Sequence, residues 1–114
     1  MAITVSEEVR KRVIETIKKD PRYEKALSHM INAVSLNKAF EITWDELVKS
    51  GDVMTKEEHR WWTTTIFREL IKARRILGAI CDSHFKGWYL KTVCRGVGWA
   101  YLREEAKKRV SARE

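Results

Sequence analysis

The chain is short of proline, cysteine and long apolar runs. It has one proline, two cysteines and five glycines in 114 residues. No stretch is rich enough in Pro, Gly or Ser to act as a linker, so a single domain is expected over residues 1–114. A chain of this length buries a core without help from disulfides or a structural metal. No apolar run approaches the ~20 residues of a membrane span, which excludes a transmembrane helix. The N-terminus "MAITVSEEVRKR" carries its charges behind a brief apolar start and lacks the hydrophobic segment of a signal peptide. A cytoplasmic or nucleoid location is therefore expected. Cys81 and Cys94, though able in principle to pair, are expected to be reduced thiols.

Apolar residues make up 44% of the chain and five are Trp, which excludes a disordered protein. The formal charge of +7 is unevenly spread. Residues 1–57 contain 10 Lys/Arg and 10 Asp/Glu, whereas residues 58–114 contain 13 and 6. All the net charge sits in the second half. A one-sided basic surface is what polyanion binding needs, because each cation that meets a phosphate releases condensed counterions.

Ser6 ahead of Glu7 and Glu8 has the form of a helix start, and Lys18 and Lys19 suit its end. Between them Val9, Val13 and Ile17 recur every four residues, which predicts an amphipathic helix with one buried stripe. Asp20-Pro21 ends that helix and opens another, since Asp caps well and Pro is tolerated at the first helical position. Tyr23, Leu27, Met30, Ile31 and Val34 form the apolar face of this second helix, and Asn37 is expected to end it. In "FEITWDELVKSG" Thr43 and Glu46 have the spacing of a capping box, with Ile42 and Leu47 placed as a hydrophobic staple. A short strand at 40–42 is expected to lead into a two-turn helix at 44–49 that stops at Ser50-Gly51. A second box, Thr55 with Glu58, opens a long helix expected to run to about Leu77. Two capped helices either side of "GDVM" predict a helix-turn-helix.

Projected at about 100° per residue, the long helix places Trp62, Ile66, Leu70, Ala73 and Leu77 on a core side, with His59 toward it. Arg60, Thr64, Arg68 and Arg75 fall opposite, with Glu57, Trp61 and Lys72 at the margins. Gly78 is then expected to release the chain into a hairpin over "AICDSHFKGWYLKT" (79–92), two short apolar runs around a polar tip carrying His84 and Lys86. Helical spacing resumes at Trp99, Leu102, Ala106 and Val110.

Short strand, helix, turn, long helix and two-stranded ribbon is the order of a winged helix domain. The run "IFRELIKARRILGAICDSHFKGWYL" (66–90) resembles the small winged helix-turn-helix proteins of phages and prophages. In them a long helix is followed by Ile, a short polar tip and Lys-Gly-aromatic-Tyr-Leu; Ile80, Ser83, Lys86, Gly87, Trp88, Tyr89 and Leu90 match. The resemblance covers roughly residues 38–110 and departs from the pattern by one extra residue in the tip and Trp in place of Tyr. The fold expected is mainly α with a small β-hairpin: an N-terminal helix pair (1–37), a winged helix-turn-helix core (38–92) and a C-terminal helix (98–112).

The resemblance implies binding of double-stranded DNA, as a transcription regulator or a replication or packaging factor of viral type, with the long helix in the major groove and the wing on the backbone. On that reading Arg60 and Arg68 each donate two hydrogen bonds to guanine O6 and N7, and Thr64 lets the helix approach a base edge. Lys56, Lys72, Arg75, His84, Lys86 and Lys91 neutralise phosphates. Glu57 and Glu58 stand at the end that would enter the groove first; Glu58 is taken up by its cap, and Glu57 can accept from cytosine N4. Trp61 is expected on a contact surface, against the short helix, in a dimer or on a sugar. The N-terminal helix pair could serve a homodimer that reads half-sites one helical turn apart.

Other chemistries find less support. Cys81, His84 and Cys94, with His59 or His29, include zinc-ligand types, but no second close pair completes a site, so no metal or other cofactor is expected. "DSH" at 82–84 has the residue types of a hydrolytic triad, yet consecutive residues on a tight turn cannot converge. No phosphate loop, dinucleotide fingerprint or paired catalytic carboxylates occur, and the chain is expected not to be an enzyme. The alternative to DNA binding is a protein-interaction module or small inhibitor of a host or viral complex on the same fold. It is suggested by the acidic start of the long helix, by Trp61 and by the neutral first half.

Overall fold

Ser6 Oγ accepts a hydrogen bond from the Val9 amide at 3.3 Å and caps the first of the four helices among the described residues. The computed structural model describes residues 5–113, in the order α1 (Glu7–Lys19), α2 (Tyr23–Lys49), α3 (Lys56–His84) and α4 (Trp88–Ala112). The apolar start read at residues 1–4 lies outside the described residues. α1 ends as expected at Lys19, and α2 begins at Tyr23, two residues past Pro21. Among the described residues no helix is long and apolar enough to cross a membrane.

From residue 38 onward the expected fold is overturned: no strand occurs among the described residues, and the protein is all-α rather than a winged helix. Asn37 does not end α2. The segment expected as a strand at 40–42 and the two-turn helix expected at 44–49 are the last turns of α2. Phe40 stacks toward Trp62 of α3, with ring centroids 5.8 Å apart, and Thr43 and Leu47 are half-buried three and seven residues on. That helical spacing of contacts outweighs the β propensity of a β-branched and aromatic stretch. The Thr43 hydroxyl donates to the Ala39 carbonyl one turn back, at 2.9 Å, instead of capping a new helix. At the second box Thr55 does cap α3: its Oγ1 accepts from the Glu58 amide at 3.1 Å, and Glu58 Oε1 accepts from the Thr55 hydroxyl at 2.9 Å, where a full box would use the Thr55 amide.

The expected wing is helical as well. α3 passes through Gly78 to His84, the chain turns over 85–87, and α4 begins at Trp88. Ile80 and Cys81 continue the buried stripe of Ala73 and Leu77, so the apolar run read as a strand is a further buried turn of helix. A run this short fits either period, and packing decides. The three weak helix formers that follow each have a tertiary partner. Asp82 accepts from Arg95 at 2.9 Å, Ser83 accepts from Arg22 at 3.0 Å, and His84 Nε2 lies 2.8 Å from Asp20 Oδ2. The turn needs glycine at Gly87, whose φ is +86°. The return of α4 brings the Cα atoms of Cys81 and Cys94 to 5.7 Å, and the two are joined in a disulfide. The expectation of free thiols fails because it rested on compartment, whereas the two-helix turn makes these residues neighbours.

The core lies at one end of the molecule, where α1, α4, the first half of α2 and the second half of α3 meet. Val13, Ile17, Leu27, Met30, Leu77, Ile80 and Leu102 are almost fully buried there. Of the residues expected as core on the long helix, Ala73 and Leu77 are buried, while Trp62, Ile66 and Leu70 are half-buried. No residue between 34 and 72 is buried. Over that span α2 and α3 continue past the four-helix body as a two-helix arm, about 23 Å long at 1.5 Å per residue. The radius of gyration, 16.8 Å, exceeds the roughly 13 Å of a compact chain of this length.

Two stability effects are expected. A Cβ at Gly98 would come within 2.7 Å of the terminal methyls of the fully buried Ile17 and Leu77. This overpacking outweighs the gain of about 1 kcal/mol that Ala has over Gly in a helix, so Gly98→Ala should cost about 1 kcal/mol net in urea unfolding. Reducing the Cys81–Cys94 disulfide, which closes a loop of sequence separation 13, should lower the same unfolding free energy by about 3 kcal/mol.

Candidate nucleic-acid interface

α3 is the helix that carries the cationic residues singled out from the sequence. Taking Trp62, Ile66, Leu70 and Ala73 as its inner side, Trp61, Thr64, Arg68, Lys72 and Arg75 fall within an arc of about 80° on the outer side. From Trp61 to Arg75 the rise is about 21 Å. Arg68, Lys72 and Arg75 are exposed, Thr64 is half-buried, and Trp61 is 57% exposed. Arg68 and Arg75 form no ion pair among the described residues. Thr63 and Thr65 donate their hydroxyls to the His59 and Trp61 carbonyls.

Acidic residues border this strip without interrupting it. Glu57 lies on the same arc at the N-terminal end, and the Glu58 carboxylate is held by the Thr55 hydroxyl. Glu69 turns inward to the α2–α3 seam, where its carboxylate lies 2.6 Å from His29 Nδ1. Burial pushes the Glu69 carboxyl up, but hydrogen bonds from His29 and Asn32 and the nearby charges of His29 and Lys72 hold it below its ordinary value.

The remaining sequence candidates do not join the strip. Lys56 stands at the first residue of α3, and Arg60 lies about 80° around the helix from Arg68. His84 is at the far end, about 24 Å from Arg68 along the axis, and Lys86 and Lys91 follow it in the turn and in α4. His84 is also engaged with Asp20. The Asp20 side chain is 3% exposed and accepts from Arg22 Nε at 2.9 Å, Nη2 at 2.8 Å and the Arg22 amide at 2.8 Å. The Arg22 guanidinium holds this carboxyl well below the usual carboxylate range; burial works against it, and the Arg22 amide and His84 reinforce it. Asp82, Ser83 and His84 thus tie the end of α3 to three different residues, and a hydrolytic arrangement is not what they form.

A second feature escaped sequence reasoning. His59, placed toward the core from its spacing, is exposed, and its ring lies 5.9 Å from Phe40 and 6.5 Å from Trp44, centroid to centroid. These rings floor two adjoining open grooves near the arm tip, about 450 and 510 Å³. Glu41 and Asp45 of α2 line one groove; Lys56, Arg60 and Thr63 of α3 line the other. The spacing of Phe40, Trp44 and His59 would have revealed the site only if α2 had been read as one continuous helix.

Comparison with protein-family models, with curated proteins and with solved structures returns no match to this chain. With both cysteines in the disulfide, neither offers a thiolate, and among the described residues no cluster of three or more His, Cys, Asp or Glu could hold a metal ion.

Because the Asp20 carboxyl is depressed in the folded state, its contribution is present above the unfolded carboxylate pKa of about 3.9 and is lost as pH falls below it. Asp20→Ala should lower the unfolding free energy at pH 7 by about 2 kcal/mol, in the range for charge-assisted hydrogen bonds. The difference from the parent protein should shrink as urea titrations are repeated at progressively lower pH below about 4.

Proposed function

We propose that this protein binds double-stranded DNA through the outer face of α3. The observation that carries this reading is the line of Arg68, Lys72 and Arg75 with Thr64, on one exposed arc with no acidic residue among them. An α-helix with its side chains is about 10–12 Å across, which suits the roughly 12 Å major groove. The arm holds Thr64 and Arg68 clear of the body, with Lys72 and Arg75 exposed at its base, so a duplex can approach this face. In such a complex Arg68 is placed to donate two hydrogen bonds to a guanine edge, Thr64 permits close approach, and Lys72 and Arg75 meet phosphates on the groove walls. Trp61 sits at one end of the strip, where it can lie against a sugar. No wing takes part: Lys86 and Lys91 are too far along the molecule to share these contacts, and Arg60 faces the groove at the arm tip.

A second reading, binding to a protein, is favoured by the arm's apolar surface. Among the described residues, six of the eight exposed large hydrophobic residues lie on it: Ile42, Trp44, Val48, Val53, Trp61 and Phe67. A protein partner held by such residues resists high salt, whereas a duplex held by cations does not.

Fluorescence anisotropy of a labelled random-sequence duplex, titrated at several salt concentrations, tests the DNA reading. Two phosphate-facing cations, Lys72 and Arg75, should give a log-log slope of about −2, and Lys72→Ala should reduce its magnitude by about one. Against a selected site, Arg68→Ala should cost roughly 1–3 kcal/mol and relax specificity. No binding at low salt with protein on the order of 100 μM would overturn the proposal.

A further inference from the structure

We infer that the arm tip is the contact surface for a second copy of this chain, in a twofold dimer that sets α2 of each copy over α3 of the other. The first reason is incomplete burial. A stable helical layer covers its apolar stripe with another layer, and the body does so with α1 and α4, but along the arm, among the described residues, α2 and α3 have only each other. Trp44 and Val48 remain 45% and 61% exposed, and Val53 in the turn 81%.

The second reason is the arrangement of charge around the tip grooves. Their aromatic floor of Phe40, Trp44 and His59 has an acidic edge on α2, Glu41 and Asp45, and a basic edge on α3, Lys56 and Arg60. The two edges do not satisfy each other: no ion pair joins them among the described residues. A surface divided in this way is complementary to itself. Rotating one copy by 180° about an axis along the arm exchanges left and right, so each acidic edge meets a basic edge and the aromatic floors meet between them. This is the isologous geometry of a twofold contact, in which every pairing occurs twice.

Sterics allow it. Helices that cross at the common angle of about 50° make contact near one point and diverge, so the two bodies splay apart while the tips stay packed. The strip of Arg68, Lys72 and Arg75 lies nearer the body than Arg60 and stays outside the contact. The N-terminal helices, expected from the sequence as a possible dimer element, have Val13, Ile17 and Leu27 committed to the core instead.

Sedimentation equilibrium without nucleic acid tests this independently of DNA binding. The mass should rise with concentration across the micromolar range from 13.4 kDa toward twice that value. Two doubly substituted proteins then probe the pairing, Glu41→Lys with Asp45→Lys, and Lys56→Glu with Arg60→Glu. Each alone should stay monomeric, because its own edges now repel. An equimolar mixture of the two should associate, since the cations of one meet the carboxylates of the other on both sides of the axis. Far-ultraviolet circular dichroism, and the urea midpoint measured at concentrations where the parent is monomeric, should match the parent, which separates loss of contact from loss of fold. Trp44→Ser should also lower the dimer fraction. A parent that stays monomeric at the highest concentration, a dimer that survives either reversal, or a mixture that fails to associate would each overturn the inference.

Discussion

The Asp20 carboxylate lies between the Arg22 guanidinium and the His84 ring, and this cluster joins the α1–α2 connection to the last turn of α3. Beside it Ser83 accepts from Arg22, Asp82 accepts from Arg95, and Cys81 is bonded to Cys94. Four successive residues, 81–84, are thus each tied to another part of the chain. Asp82 and Ser83 by themselves prefer turns and caps to helix interiors. The ties keep them helical, and because they do, the chain reverses over three residues and α4 returns onto the body. Without that turn of helix Gly98 would not reach its place between Ile17 and Leu77.

Closing the core at one end has a consequence at the other. α2 and α3 are long enough to leave the body, and no other element among the described residues follows them. Their mutual face is half-buried, and their outer faces display what a third layer would otherwise cover. On one side of α3 this exposes cations in line; at the tip it exposes aromatic rings between edges of opposite charge. The proposed duplex contact and the proposed dimer contact use different parts of one arm, and Arg60, which from sequence alone belonged with Arg68, goes to the tip because it stands about 80° away around the helix.

What could be read beforehand was whatever depends on near neighbours. Ser6 with Val9 and Thr55 with Glu58 cap as their spacing indicates, since capping bonds span three residues. The stripes of Val13 and Ile17, of Leu27 and Met30, and of Leu102 and Ala106 are buried as their periodicity indicates. The Thr43 and Glu46 spacing was equally good as a cap, but a Thr hydroxyl bonds as well to a carbonyl one turn back, and Thr43 does so within an unbroken helix. The cations of α3 were recognisable as one face. The groove of Phe40, Trp44 and His59 was not, because it joins residues that are neighbours only when α2 continues through the segment read as a strand.

The sequence by itself determined the basic second half, the starts of α1 and α3 and the apolar stripes of the body, because charge, capping and periodicity act within a few residues. Only the tertiary structure decided that 79–92 is helix, turn and helix rather than a hairpin, and that Cys81 meets Cys94. Short apolar runs suit both a strand and a helix, and the choice was made by partners far along the chain: Asp20 for His84, Arg22 for Ser83, and Ile17 for the residues packed around Gly98.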